Sequence, residues 1–278
     1  MYLSSHLPHL ISPTSHSLAF DTTNRGYGCE SHTVHTTDGH ALEIHRMIPN
    51  PSPPNPRRAV IVFHGLAISS EVWLCNPTSA TSNFAPALLA AGFDVFLANT
   101  RGNKYSDLGA GKPRAAAGYW AFGIDEMAAF DVPAVVHHVR AVTGRETVSC
   151  VGYSQGSTML FAALAMQEGL NDVVDCCVMM APVIKPKGMS LSVVGNVISS
   201  TTPSIIYGFL GTRSLLPCTD FVKNHFGPHV FARVVHRSFE ALFGWKCTSW
   251  PEEHRVALYG HVFGGTSVQC VVVSWMLG

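Results

Sequence analysis

One stretch constrains this chain more than any other. TVSCVGY, Thr147 to Tyr153, is followed directly by STMLFAALAM-type sequence from Ser154 to Gln167. The first run has strand composition, the second the Ala, Leu and Met of a helix. Between them lies Gly152-Tyr153-Ser154-Gln155-Gly156, a Gly-x-Ser-x-Gly pentapeptide. Held between a strand and a helix, this pentapeptide makes a sharp turn that lifts its serine out of the backbone. Small residues at Gly152 and Gly156 let the turn clear its neighbours. Ser154 is therefore expected to be a nucleophile, with a helix N-terminus behind it to favour anionic intermediates. A serine hydroxyl is weak until a base takes its proton. The elbow thus demands a histidine and an acid from elsewhere.

The rest of the chain is consistent with an elbow on a large sheet. SHTVHTTDGHALEIHRM alternates around an Asp38-Gly39 turn and predicts a β-hairpin. A Pro-rich bridge from Pro49 to Pro56 can be neither helix nor central strand. It leads into AVIVF, the β-branched run of a strand buried on both faces. Helix (Asn83 to Phe93), strand (Asp94 to Thr100), long helix (Ile124 to Thr143, with a kink or break at Pro133), elbow strand, elbow helix and strand (Val174 to Pro182) follow in alternation. That rhythm predicts a mostly parallel, doubly wound α/β sheet. From Lys185 the chain is apolar and broken by Gly and Pro, which predicts a mainly helical cap over the sheet's C-terminal edge. The expected organisation is a poorly ordered segment 1–24, a core 25–184, a cap 185–262, and a segment 263–278 that starts back into the core.

Composition excludes several classes. Of 278 residues, 18 are basic and 18 acidic, and no Lys/Arg run occurs, so nucleic-acid binding is not expected. Eight scattered cysteines without a C-x-x-C pair argue against a zinc site or a disulfide framework. Cys150, Cys176 and Cys177 lie in apolar runs and are expected to be small buried hydrophobes. The N-terminus lacks a basic region and a continuous apolar core, so no signal peptide is recognised. No run of 18 apolar residues predicts a spanning helix. No metal or organic cofactor is implied by any motif.

Acyl transfer also needs donors for an oxyanion. The backbone N–H of Gln155, the residue after the serine, is one candidate. HGLAISSEVW follows the AVIVF strand, and Gly65 lets the backbone turn so that the N–H of Leu66 aims at the site. His64 lies before Ser154, whereas sites of this type run serine, acid, histidine along the chain. It is expected to shape the oxyanion loop rather than to act as base.

GYGCESHTVHTTDGHALEIHR, HGLAISSEVW, GFDVFLANTRGNKYS, YWAFGIDEMAAFDVPA and VGYSQGSTMLFAALA occur in this order. Together they resemble the acid lipase family of α/β-hydrolases, which includes gastric and lysosomal acid lipases and the fungal sterol esterases. The resemblance runs from about Gly26 to near the C-terminus. It implies an α/β-hydrolase fold and hydrolysis of neutral lipid esters, sterol esters or triacylglycerols, at a lipid–water interface or membrane surface. It implies a Ser-Asp-His triad with Ser154 as nucleophile, Leu66 and Gln155 at the oxyanion positions, and no cofactor. Lysosomal, lipid-droplet and secreted members are all known, so it does not fix a compartment. Asn99 to Asn103 and Trp120 to Asp131 match family signatures whose expected role is structural. Asp125, Glu126 and Asp131 are expected to be helix-start and surface-network carboxylates, with Arg101 paired to one of them.

In this family the acid and the histidine follow further strands beyond the GTSVQ segment, here Gly265 to Gln269. The expectation is that the triad Asp and His, with the last strands and helices, are not among these 278 residues. The later histidines (His225, His229, His236, His254, His261) and most later acids fall in the cap or just beyond it. Two function classes follow: a lipid ester hydrolase whose 278 residues alone are impaired, and a non-catalytic lipid-binding or regulatory relative. A thioesterase or other acyl-transfer chemistry is a third, more distant reading.

Overall fold

The computed structural model describes residues 27–50, 58–75, 83–107, 111–116, 118–183, 211, 213–214, 219–243 and 250–270. The expected N-terminal segment, nearly all of the Pro-rich bridge, the first part of the expected cap and residues 271–278 lie outside them.

The hairpin forms as its alternation dictates. β1 (Tyr27–His35) pairs antiparallel with β2 (Ala41–Pro49), in register from Tyr27 opposite Pro49 to His35 opposite Ala41. The connecting turn needs a left-handed residue, and Gly39 supplies it at φ 95°. Thr36 Oγ1 braces the turn, donating to Asp38 at 2.6 Å and accepting from the His40 N–H at 3.0 Å.

Six strands make one sheet in the order β1-β2-β4-β3-β5-β6. β3 (Ala59–Phe63), β4 (Asp94–Ala98), β5 (Val148–Tyr153) and β6 (Val174–Met180) run parallel, while β2 meets β4 antiparallel. All five β3 residues are buried, and they alternate between two cores. Ile61 and Phe63 pack with Met127, Val136 and Met159 on one face. Val60 and Val62 pack with Trp73, Leu89 and Leu97 on the other. A continuous apolar run is what a strand covered on both faces requires.

Helices cover both faces. α1 (Phe84–Ala90) packs on one; α2 (Ile124–Glu126), α3 (Val132–Thr143), α4 (Gln155–Met166) and α5 (Glu168–Asn171) are joined to the other. The irregularity expected at Pro133 sits just ahead of it, as a π-helical turn over Met127–Asp131. Proline has no N–H to donate and crowds the carbonyl four residues back, so the wider turn falls in the residues before it. Farther on, α6 (Thr219–Phe243) breaks at Gly227 (φ 77°, ψ 167°), with Pro228 opening its second half. α7 (Glu252–Val262) packs on α6 through Phe231, Ala232, Val256 and Tyr259.

One expectation about the cysteines is corrected. Cys150, on the inner strand β5, is buried, and burial pushes its thiol pKa well up. Cys177 is half-buried, and Cys176 is exposed. Both lie on β6, the edge of the described sheet, where Val178 is 47 % exposed and nearby α4 shows Phe161 at 49 % and Met166 at 56 %. An apolar run alone does not separate an inner strand from an edge strand.

Candidate active site

β5 ends at Tyr153, and α4 begins at Gln155, leaving Ser154 alone at the bend. Its backbone takes φ 53° and ψ −115°, a conformation that costs a non-glycine residue on the order of 1–3 kcal/mol. Neighbours over-determine it. The Ser154 N–H donates to Met180 O at 2.8 Å, and the Ser154 carbonyl accepts from the Ser157 N–H at 2.9 Å. Ser157 Oγ lies close to two carbonyls, those of Gly152 at 2.7 Å and Met180 at 2.9 Å. The flanking glycines are dictated by contact. A methyl on Gly152 would sit 2.6 Å from the Gly156 carbonyl carbon, and one on Gly156 only 2.5 Å from Phe63 O.

The structure brings the turn after β3 against this bend. A methyl on Gly65 would lie 3.3 Å from Ser154 Cβ and 3.1 Å from the Tyr153 ring. Leu66, next in sequence, is half-buried against the core, and Gln155 is buried at the start of α4. Ser154, Gln155 and the Gly65–Leu66 turn therefore meet at the C-terminal ends of β3 and β5. Open α/β sheets bind their ligands at that edge.

His64 is buried, with both ring nitrogens engaged. Nδ1 lies 2.8 Å from Gly65 O, while Nε2 is approached by the Thr100 N–H at 3.3 Å and Asn103 Nδ2 at 3.2 Å. Two donors on Nε2 place the ring proton on Nδ1, which donates to Gly65 O. Burial drives the imidazole pKa down to about 4, against the Gly65 hydrogen bond. This neutral ring holds the loop and has no lone pair left for a serine.

The turn is also tied to α7. Ser69 N–H donates to Val262 O at 2.7 Å, Gly264 N–H donates to Ala67 O at 3.0 Å, and Ile68 bridges Phe263. Lys104 Nζ donates to Glu71 at 2.7 Å and to His261 O at 2.5 Å, and the Tyr105 hydroxyl donates to Glu71. No local pattern points to Glu71, Lys104 or Ser157, whose partners are distant in the chain or are backbone carbonyls. Asn103 stood within a family signature, without an assigned contact.

Arg101 pairs as expected, but with a different kind of partner. Its Nε donates to Asp131 at 2.8 Å and its Nη1 to Asp38 at 2.6 Å, and the Arg101 N–H also donates to Asp131 at 3.0 Å. Asp131 has no exposed surface, so its assignment to a surface network is corrected: it is the inner half of a buried ion pair. The hairpin tip carrying Asp38 closes over the guanidinium, a tertiary contact that helix-start reasoning does not foresee. Burial opposes the Arg101 charge, and Asp131 and Asp38 more than reverse this, raising its pKa. Glu126 does cap its helix, accepting from the Gly123 N–H at 2.6 Å, and Asp125 is exposed.

Among the described residues, no imidazole or carboxylate hydrogen-bonds Ser154 Oγ. His229 is exposed on α6, His236 neighbours Arg255 at 3.3 Å, and His261 lies 3.8 Å from Glu71. Asp175 is held by Arg58 at 2.8 Å. No group of three His, Cys, Asp or Glu side chains among the described residues has the arrangement of a metal site. No described helix is long and apolar enough to cross a membrane.

Comparison with known proteins decides the family. Residues 58–236 match the model described as the alpha/beta hydrolase fold. The chain belongs to the α/β-hydrolase family. Residues 19–77 match a second model, a partial alpha/beta-hydrolase lipase region. This α/β-hydrolase is 34 % identical over 254 residues to a probable lipase of Schizosaccharomyces pombe, covering 89 % of this chain and 54 % of that protein. It is 30 % identical over 256 residues to human lipase member M, covering 90 % of this chain and 60 % of that one. It is 31 % identical over 253 residues to the lysosomal acid lipase/cholesteryl ester hydrolase of Macaca fascicularis, covering 88 % and 62 %. The resemblance to acid lipases carried by the sequence motifs is borne out by these relatives. The chain spans about half the length of the yeast relatives it matches.

Proposed function

We propose that this α/β-hydrolase belongs to a lipid ester hydrolase that cleaves sterol esters or triacylglycerols at a lipid–water interface, with Ser154 as nucleophile. The observation that carries the reading is the strained Ser154 backbone at the elbow, pressed against Gly65. Non-glycine strain of this kind is retained where function needs it. Ser154 Oγ would attack the ester carbonyl as the base takes its proton, the alkoxide would leave with that proton, and water activated by the same base would release the acid and return a proton to Ser154. The Leu66 and Gln155 N–H groups would hold the oxyanion. Lipase names among the relatives support the ester class.

The acid and the base are proposed to come from outside the described residues, since none of these hydrogen-bonds Ser154 Oγ. The same observation supports a second reading, a lipid-binding relative without turnover.

Both are tested by treating the 278-residue chain with a fluorophosphonate and a short-chain nitrophenyl ester, beside Ser154→Ala. Slow labelling lost in Ser154→Ala, with turnover lower by roughly 10⁶ than a full triad gives, is the expected result. Labelling that survives Ser154→Ala would remove the nucleophile assignment. Fast Ser154-dependent turnover would show that the 278 residues already supply an acid and a base. An unlabelled chain that still binds a sterol ester would establish the second reading.

A further inference from the structure

The turn carrying Leu66 is gripped from outside by one side chain. Asn103 has no exposed surface. Its Nδ2 donates to Ile68 O at 2.9 Å and to His64 Nε2 at 3.2 Å, and its Oδ1 accepts from the Tyr105 N–H at 3.0 Å. Both amide protons and the oxygen are used, which fixes the amide orientation. Flipped, it would set Oδ1 against the Ile68 carbonyl and Nδ2 against the Tyr105 N–H. His64 and Ile68 stand two residues before and two residues after Leu66.

The grip continues through His64. A nitrogen that accepts from Asn103 Nδ2 and the Thr100 N–H carries no proton, so the proton resides on Nδ1. Nδ1 then donates to Gly65 O at 2.8 Å. The Gly65 carbonyl and the Leu66 N–H belong to one planar trans peptide and point in opposite directions. Fixing the carbonyl aims the N–H.

We propose that Asn103 is a positioning residue for the oxyanion donor: it sets the His64 tautomer and clips Ile68, so that the Leu66 N–H is held toward Ser154. The proposal rests on the oxyanion reading of Leu66 given above. Asn103 itself touches no substrate. Gly264 closes the clip from the far side, where a methyl would lie 2.9 Å from both Asn103 Nδ2 and Ile68 O.

The first test needs only the unaltered chain. Histidine ring ¹⁵N shifts at neutral pH should show His64 protonated on Nδ1; a proton on Nε2 overturns the proposal, because Asn103 cannot donate to a protonated nitrogen. The second uses Asn103→Leu and the isosteric Asn103→Asp. Both should accelerate amide exchange across Gly65 to Ser69 while leaving exchange in β5 unchanged. Asn103→Asp should also draw the His64 proton toward Nε2 or charge the ring, visible in the same shifts. The maximal rate of Ser154 phosphonylation should fall on the order of 10- to 100-fold, the cost of a misaimed group, with the half-saturating concentration unchanged. Unchanged exchange at residues 65–69 in a folded variant overturns the proposal. Absence of labelling in the unaltered chain would count against Ser154 chemistry, and the exchange readout would still decide the clip.

Discussion

Gly156 and Phe63 meet backbone to backbone: a methyl on the glycine would lie 2.5 Å from the Phe63 carbonyl oxygen and 2.7 Å from that of His64. Neither oxygen is the end of a flexible side chain. β3 and the elbow can approach this closely only because one of them has no Cβ. Overpacking costs about 1–3 kcal/mol where neighbours can yield. Here the neighbour is a central strand, so Gly156→Ala should cost at least about 3 kcal/mol in urea unfolding. A loss below about 1 kcal/mol would mean that the elbow moves away from β3.

The strain at Ser154 makes a separate prediction. Ser154→Ala and Ser154→Gly both remove the hydroxyl, but only glycine takes φ 53°, ψ −115° without steric cost. Ser154→Gly should therefore be more stable than Ser154→Ala by about 1 kcal/mol, although glycine has more chain entropy to lose. Neither should be labelled by a fluorophosphonate. Equal thermal stability of the two would show that the bend stores no strain.

The elbow was legible because every part of it is local. Strand composition, two glycines and helix composition stand side by side from Thr147 to Gln167, and the hairpin around Gly39 is local in the same sense. Cys176 reads as buried from composition alone because inner and edge strands share it, and only the partners of β6 among the described residues distinguish them. Asp131 reads as a surface carboxylate from its local sequence because its real surroundings depend on Asp38, which the fold delivers from 93 positions earlier in the chain. The His64 environment was half legible. Chain order indicated that it is not the base, but nothing local reveals that Asn103, 39 residues away, completes its hydrogen bonds.

Arg101 gives the largest expected effect outside the elbow. Its guanidinium is buried between Asp131, which has no exposed surface, and Asp38. Removing one partner of a buried ion pair leaves the other charge unpaired, at about 3–5 kcal/mol. Arg101→Met should show that loss in chemical denaturation. Arg101→Met with Asp131→Leu should recover most of it, since an apolar pair of similar volume is often no worse. A double variant as unstable as the sum of its single changes would show that the two residues do not act as a pair.

Between pH 6.5 and 4 the buried histidines should make stability fall as pH drops, while Glu43, whose carboxyl pKa burial raises, works in the opposite sense. Burial lowers the pKa of both His64 and His45 from 6.5 to about 4, with nearby His32 adding to the effect at His45. Between those values the unfolded chain binds protons that the folded chain refuses, so stability must fall as pH drops from 6.5 toward 4. Each such histidine contributes up to about 1.4 kcal/mol per pH unit, roughly 3 kcal/mol across the window. Asp38 and Asp107 carry lowered pKa values, and their contribution is lost only below the ordinary carboxylate value of 3.8. His45→Gln keeps an amide near Ser70 and Asn99, the present ring neighbours, each 3.3 Å from Nδ1. It should be less stable at pH 7 but should lose one proton's worth of slope between pH 6.5 and 4. Urea unfolding at a series of pH values measures that slope. An identical slope in the variant would mean that His45 takes up its proton within the folded chain.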